Sequence, residues 1–283
     1  MFTDSPATPT RVECIIDLLQ AHSRREWNRA ELIGVLQPEG LPNLTPNSPQ
    51  AAESLKACAD LELIVEADGK TELTDYDRKR STREIVLDAI DGRLLTAIDT
   101  EPYYAPFYSY LLGLGKRATV KRHPQEWANA FAHDAPGSQG QRNPFNGTKY
   151  TGLMRWYGYS GHGWFDPEEQ FQANPYERLL RQLPTIFGKD QQLDGEEFMQ
   201  RLAVGCPELD GGHLYCRVWP AYDRQNRVCS LGMSHALVDL HLDNHIRLHC
   251  PIDSRGWSIE AAQPPNDGKT LRSGRIDHIE WIG

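Results

Sequence analysis

The sequence lacks the features that mark membrane, secreted and disulfide-stabilised proteins. No apolar run approaches the ~18–20 residues that a membrane span needs. The N-terminal segment MFTDSPATPTRVE has neither the basic nor the hydrophobic part of a secretory signal. The six cysteines show no close pairing, which is ordinary usage in a reducing compartment. We therefore expect a cytoplasmic protein that makes no membrane contact.

Signatures of catalysis and of cofactor binding are missing as well. There is no Ser-His-Asp order, no cluster of nuclease carboxylates and no redox Cys-x-x-Cys motif. The glycine-rich segment GYSGHGWF at 158–165 lacks the GxxxxGKS or GxxxxGKT of a nucleotide-binding loop, and we expect it to be a tight turn that packs Trp164. The sequence therefore favours a non-catalytic protein and indicates no cofactor.

One histidine pattern leaves an enzymatic alternative open. His235 and Asp239 have the His-x-x-x-Asp spacing of acyltransferases of the chloramphenicol acetyltransferase and condensation type, in which the histidine is the general base. However, Leu240 stands where those enzymes have glycine, and no second motif accompanies the pair. An ordinary i, i+4 pair on one helix face explains the spacing equally well.

A second histidine pattern has the spacing of a metal site. His241, His245 and His249 recur every four residues near Cys250, and a His-x-x-x-His pair on a helix can bind zinc. No Cys-x-x-Cys pair and no HExxH motif accompany them. Because such histidines commonly form a solvated helix face, we predict no metal site.

Charge is distributed unevenly along the chain. The formal net charge is −9, which excludes a globally basic nucleic-acid-binding protein. Residues 116–160 nevertheless contain 7 Lys/Arg and 2 Asp/Glu, a net charge of +5, whereas the segments on either side are net negative. A local basic patch of this kind can follow a phosphate backbone.

We call the candidate nucleic-acid-binding residues of this stretch the basic belt. Arg155 points away from the apolar face of a predicted helix, and Trp156 is expected on its flank with an exposed edge. Basic side chains beside a Gly/Pro/Asn-rich loop at 134–147 suit contact with phosphates, although a solvated face that balances an acidic partner domain is the alternative. The basic belt consists of Lys116, Arg117, Lys121, Arg122, His123, Arg142, Lys149, Arg155 and Trp156.

Residues 11–74 predict three helices followed by a β-hairpin, which is the order of a winged helix. Asn28 and Glu31 can form a capping box, and Asp68-Gly69 is a two-residue hairpin signal. We expect a core that contains Ile15, Leu19, Leu32, Leu55 and Ile64.

The third predicted helix has a composition that disfavours reading of a DNA groove. It carries Glu53, Lys56 and Asp60 and no arginine, whereas groove readers normally use Arg or Lys to neutralise phosphates. The pattern favours protein docking or weak DNA binding over sequence-specific recognition.

The remaining chain predicts a helical middle and a second winged-helix-like module. The aromatic segment at 103–115 is expected to be a buried helix, with a base-stacking platform as the alternative. Residues 213–219 alternate like a strand, 230–246 predict an amphipathic helix, and the segment after it predicts a hairpin. The fold class is therefore α+β and mainly helical, with winged-helix modules at both ends. The domains are predicted at 1–80, 81–190 and 191–283.

Four segments carry a resemblance to a known family. They are FNGTKYTGLMRWYGYSGHGWF (145–165), NPYERLLRQLPTIFG (174–188), CPELDGGHLYCRV (206–218) and LGMSHALVDLHLDNHIRLHCPIDS (231–254). With these segments the chain resembles the DpdG family, accessory proteins found with bacterial 7-deazaguanine DNA-modification and phage-defence gene clusters. None of the segments is a catalytic signature. The resemblance implies an intracellular, DNA-associated defence protein without assigned chemistry.

These observations predict a non-catalytic adaptor of a bacterial defence or DNA-modification complex. We expect it to contact DNA through the basic belt and protein subunits, such as a helicase or a nuclease, through its winged-helix modules. Two alternatives stay open: a winged-helix transcription regulator that reads an operator, and a small acyltransferase that uses His235.

Overall fold

The computed structural model is mainly helical with several small sheets, which confirms the α+β class. Placement is described for residues 2–3, 6–38, 40, 49–75, 79–96, 102–135, 143–251, 253, 255–259 and 274–283.

The N-terminal elements follow the predicted order of three helices and a hairpin. Asn28 and Glu31 form the expected capping box at the start of the second helix. Asp68 and Gly69 have φ angles of 51° and 75°, as the two-residue turn of a twisted hairpin requires. The five predicted core residues are all buried. The elements are α1 (Pro9–Ala21), α2 (Arg29–Leu36), α3 (Gln50–Asp60), β1 (Ile64–Ala67) and β2 (Lys70–Leu73).

The middle of the chain is built around one buried aromatic helix. Nine residues of α5 are buried, among them Tyr104, Phe107, Tyr108 and Tyr110, which confirms the predicted buried helix and leaves those rings no surface on which bases could stack. The helix before it begins at Thr82, and residues 76–78 lie outside the described residues. The elements are α4 (Thr82–Thr96), α5 (Tyr104–Leu114), a 3-10 helix (Gly115–Thr119), α6 (Pro124–Asp134), α7 (Gly147–Ser160), β3 (Gly163–Phe165), β4 (Phe171–Ala173) and α8 (Tyr176–Phe187).

Helices and short strands alternate in the C-terminal part. Its central sheet has the order β5-β9-β6, with both pairings antiparallel. Ile279 on β9 lies opposite Leu193 on one side and Leu248 on the other, and all three are buried. The elements are β5 (Gln192–Asp194), α9 (Gly195–Gly205), α10 (His213–Val218), a second 3-10 helix (Arg224–Asn226), α11 (Leu231–Leu242), β6 (Ile246–His249), β7 (Trp257–Ser258), β8 (Arg275–Ile276) and β9 (His278–Trp281).

Three local predictions are wrong. Residues 213–218 form a helix rather than a strand, because Leu214, Tyr215 and Val218 share one buried face at helical spacing. The C-terminal hairpin does not form, since β6 pairs with β9 and β7 pairs with β8. Trp164 lies on the β3–β4 hairpin with half of its surface exposed instead of packing in a tight turn.

Candidate nucleic-acid interface

The first five residues of the basic belt lie on the 3-10 helix and on the connection into α6. Lys116, Arg117 and Lys121 are exposed, and Arg122 is half-buried. His123 is the N-cap of α6, where its Nδ1 accepts a hydrogen bond from the backbone N–H of Gln125. These side chains therefore reach solvent from an anchored backbone.

A cavity of about 650 Å³ brings part of the basic belt together. Lys121, Arg122, His123 and Arg155 line it, so cations from two separate segments face a common space. A cavity with an apolar wall and a cationic rim can accept the backbone and part of a base of a nucleic acid. The larger apolar side chains of the lining include Leu111, Trp127, Tyr150, Met154, Phe165 and Phe171.

Arg122 is held by an aromatic pair. The carbon of its guanidinium lies 4.7 Å from the ring centroid of Trp127, and the Trp127 ring is parallel to that of Tyr150 within 4° at 6.4 Å. A guanidinium stacked on a ring keeps its N–H groups in its own plane. Burial raises the pKa of Tyr110, and a hydrogen-bonding interaction with this guanidinium counters part of that rise, so some of the Arg122 N–H groups are engaged within the protein.

Acidic residues offset part of the positive charge. Glu168 and Glu169 on the β3–β4 turn line the same cavity. The pKa of the neighbouring Asp166 is lowered by the backbone N–H of Gln170 and, to a smaller degree, by the charge of Lys121. These acids lie after residue 160, outside the segment 116–160 whose net charge is +5. The charge of that segment alone therefore overstates the positive charge of the folded surface.

Two residues of the basic belt are in positions that the sequence did not predict. Trp156 is fully buried, with its Nε1 donating to the carbonyl of Ala7 at 3.3 Å, so the expected exposed edge is wrong. The cause is the N-terminal segment, which covers this side of α7 and places Phe2 against the indole at 5.0 Å. Lys149 is buried too, and its ammonium donates to the carbonyls of Asn143 and Pro144.

The binding role of the other predicted residues stays a prediction. Arg155 is exposed on α7, as its helical position predicted. Arg142 lies outside the described residues.

A buried polar network that the sequence analysis missed connects α4, α5, α7 and α8. The Tyr104 hydroxyl and Ser160 Oγ are 2.6 Å apart, and Ser160 Oγ is 2.7 Å from Nδ1 of His162. Nε2 of His162 lies 3.7 Å from Glu208, and Arg178 Nε donates to the same carboxylate at 3.0 Å. The partners come from distant parts of the sequence, so no local pattern indicates the network.

This network is electrostatically coupled and closed to solvent. Burial lowers the pKa of His162, which favours its neutral form. Burial alone would raise the pKa of Glu208, but the Arg178 charge and His162 lower it to about 2. The serine, histidine and glutamate resemble a hydrolytic triad in composition. However, the side chains of His162 and Glu208 are fully buried and Ser160 donates to the carbonyl of Trp156, so the arrangement is structural.

The two residues of the acyltransferase spacing lie in different surroundings. Asp239 accepts a hydrogen bond from Asn174 Nδ2 at 3.0 Å and lines a cavity of about 330 Å³ that His235 does not line. A general base must reach the proton that it removes, and half-buried His235 is outside this cavity.

The histidine series is dispersed over different contacts. His249 lies 3.3 Å from Glu280, and the His245 ring packs on Tyr176. In the described part of the chain, no group of three or more His, Cys, Asp or Glu residues is arranged to hold a metal ion.

Comparison with known families identifies the relationship that the sequence motifs indicated. The model of DpdG-like proteins matches residues 1–254. The chain belongs to the DpdG-like family. Family membership suggests a role in the Dpd DNA-modification and defence system, which has several protein members. No curated protein and no solved structure matches the chain.

Among the described helices, none combines the length and the apolarity required to cross a bilayer.

Proposed function

We propose that this DpdG-like protein is a non-catalytic, DNA-associated adaptor of the modification and defence system. The observation that carries the proposal is the shared cavity at which Lys121, Arg122, His123 and Arg155 meet. Exposed Lys116 and Arg117 extend the cationic surface along the 3-10 helix. Phosphate contacts position a protein on DNA without requiring base recognition, which suits an adaptor.

The N-terminal module is the proposed winged helix. In support, its three helices precede a hairpin, and Trp27 forms a bridge with Thr71 that adds a third extended segment beside β2. On α3, Lys56 is paired with Asp60 at 2.8 Å, which leaves this helix without an unpaired cation for a DNA groove. We therefore assign the module to a partner protein rather than to an operator.

The experiment measures DNA affinity over a salt series by fluorescence anisotropy with a labelled duplex. The belt variant replaces Lys116, Arg117, Lys121 and Arg122 with alanine. We expect weaker binding. We also expect the salt slope, which is the slope of the logarithm of the binding constant against the logarithm of the salt concentration, to decrease in magnitude by up to about 3 to 4, at roughly 0.9 for each lost phosphate contact.

A charge-matched control separates the basic belt from general electrostatics. It removes four exposed cations elsewhere, namely Arg24, Lys56, Lys70 and Lys189. The proposal is contradicted if both variants lose the same amount of DNA affinity, or if the unmodified protein does not bind the duplex. His235→Ala is expected to bind DNA within a few-fold of the unmodified protein. A selective loss of defence activity in that variant, with the fold intact, would restore the acyltransferase alternative.

A further inference from the structure

A second cationic surface lies in the C-terminal part, outside the basic belt. Four arginines line one groove of about 950 Å³, and we call it the arginine groove. It occurs within residues 161–283, whose net charge is −6 from 12 Lys/Arg and 18 Asp/Glu, so a chance excess of basic residues does not explain it. The four residues are Arg224, Arg227, Arg255 and Arg275.

The floor of the groove is a small sheet. Ser258 pairs with Arg275 across β7 and β8 and forms a parallel bridge with Val228 on its other side. Residues directly opposite each other point to the same face of a sheet, and these three line the groove together. Trp257 and Ile276 point to the opposite face and are buried. The floor is therefore anchored in the core while its polar face is open.

Two of the arginines, Arg224 and Arg227, lie close to one carboxylate, that of Glu196. Arg224 Nε lies 3.0 Å from Glu196, and Arg227 Nε lies 3.7 Å from the other oxygen of the same group. Arg227 also donates to the carbonyl of Arg255 at 2.9 Å. Arg227 has a φ of 49°, a conformation that is uncommon for a residue with a side chain and recurs at functional sites.

The other two arginines have no such partner. Within the described residues, no carboxylate lies at ion-pair distance from Arg255 or Arg275, and both are exposed. Among the described lining residues, Glu196 and Asp223 are the acids, against four guanidinium groups. Like charges that line one groove repel one another, and an anion bound between them relieves that repulsion.

The remaining lining identifies the kind of anion. Gln225, Asn226 and Ser258 add amide and hydroxyl groups, and Val228 is the one large apolar side chain among the described lining residues. Small-molecule sites are mostly apolar. Arg, Ser, Asn and Gln are instead the side chains that contact phosphate oxygens of nucleic acids.

We propose that the arginine groove binds the phosphodiester backbone of DNA as a second anchoring site, with Arg255 and Arg275 as the residues that contact phosphate. This inference rests on the proposed function, because it presumes that the protein associates with DNA. It adds a site that is built from different elements and shares no residue with the basic belt.

The test uses a labelled duplex of about 20 base pairs and anisotropy from about 50 to 200 mM salt. Arg255→Ala combined with Arg275→Ala is expected to weaken binding roughly tenfold or more and to lower the salt slope by about 2. Because neither side chain has an ion-pair partner among the described residues, the substitutions leave none of the described carboxylates unpaired. Lysine at both positions should restore the slope but only part of the affinity, since lysine lacks the planar fork.

The controls make each failure distinct. Arg24→Ala combined with Lys189→Ala removes the same charge from other exposed positions and should change affinity less than about twofold. If the unmodified protein does not bind DNA, the proposed function fails. If it binds and only the belt variant loses affinity, the proposed function stands and the arginine groove is not a DNA site. Displacement of the duplex from a belt variant by millimolar ATP or by a phosphoserine peptide, at constant ionic strength, would overturn the assignment to a DNA strand.

Discussion

Removing the Arg178 guanidinium is predicted to be among the most destabilising single substitutions in this protein. Arg178 is fully buried, lies 3.0 Å from Glu208 and 3.3 Å from Asp91, and donates to the carbonyl of Gly205 at 3.1 Å. In Arg178→Met, Asp91 keeps its partner Arg181, but Glu208 remains without a charged arginine in a site closed to water. Breaking a buried pair in this way costs about 3–5 kcal/mol.

The pH dependence of the loss identifies its cause. In the unmodified protein the pKa of Glu208 is lowered to about 2, so its ion pair stabilises the fold at neutral pH and is lost only as pH falls from about 4.5 towards 2. Without Arg178, the buried site must take up a proton, on Glu208 or on His162. The folded variant then holds one more proton at this site than the folded unmodified protein, whereas Glu208 and His162 titrate alike in the two unfolded chains. The difference in unfolding free energy between variant and unmodified protein should therefore narrow by up to about 1.4 kcal/mol for each unit that pH decreases.

Urea unfolding followed by tryptophan fluorescence at pH 7.5 and 5.5 measures both effects. Arg247→Met is the matched control, because Arg247 pairs with Glu280 at 3.2 Å on the surface with 45% of its side chain exposed. Its loss should stay below about 1 kcal/mol. A loss below about 1 kcal/mol for Arg178→Met at pH 7.5, or a difference that is the same at both pH values, would refute the argument that buried charge pairing holds these helices.

Three further substitutions test packing and titration elsewhere. Gly152 and Gly158 lie on the same helix, but a Cβ at Gly152 would lie 2.9 Å from the backbone oxygen of Phe2, whereas Gly158 faces open space. Calorimetry should show that Gly152→Ala lowers the free energy of unfolding by about 1–3 kcal/mol and that Gly158→Ala raises it by about 0.5–1 kcal/mol. Equal effects of the two substitutions would contradict this packing. Burial raises the pKa of Asp210 to about 6, so the unmodified protein gains stability by taking up a proton as pH falls from about 6 to 4. Asp210→Asn cannot take up this proton, so its free energy of unfolding relative to that of the unmodified protein should decline by about 3 kcal/mol between pH 7.5 and pH 4. If the urea midpoints of the variant and the unmodified protein differ by the same amount at every pH, the pKa of Asp210 is not raised.

The elements that the sequence predicted well are those whose signals are local. The capping box at Asn28 and Glu31 and the turn at Asp68-Gly69 depend on residues at most three positions apart. A strand pairing that joins distant segments has no such signal. The strand at 246–249 was therefore assigned to the wrong neighbour, although its position along the chain was nearly right.

The candidate site shows the same division between local and distant contacts. The exposure of Lys116, Arg117 and Arg155 followed from local charge and helical spacing. The burial of Trp156 depends on a hydrogen bond to a residue 149 positions earlier, which a helical wheel cannot represent. The buried carboxylate of Glu208 was missed for the same reason, since its cation lies 30 positions away on α8.

The strand order β5-β9-β6 has a consequence for how the protein is made. Ribosomes release a chain from its N-terminus, so β5 and β6 emerge well before β9, the strand that separates them. Until residues 278–281 leave the ribosome, each outer strand lacks the strand with which it pairs in this sheet. Leu193 and Leu248 then also lack Ile279, which lies between them in the folded protein. Unpaired strand edges invite association with other chains. This sheet therefore cannot be completed before β9 has been synthesised, and a nascent chain that stalls earlier carries two strands without their shared neighbour.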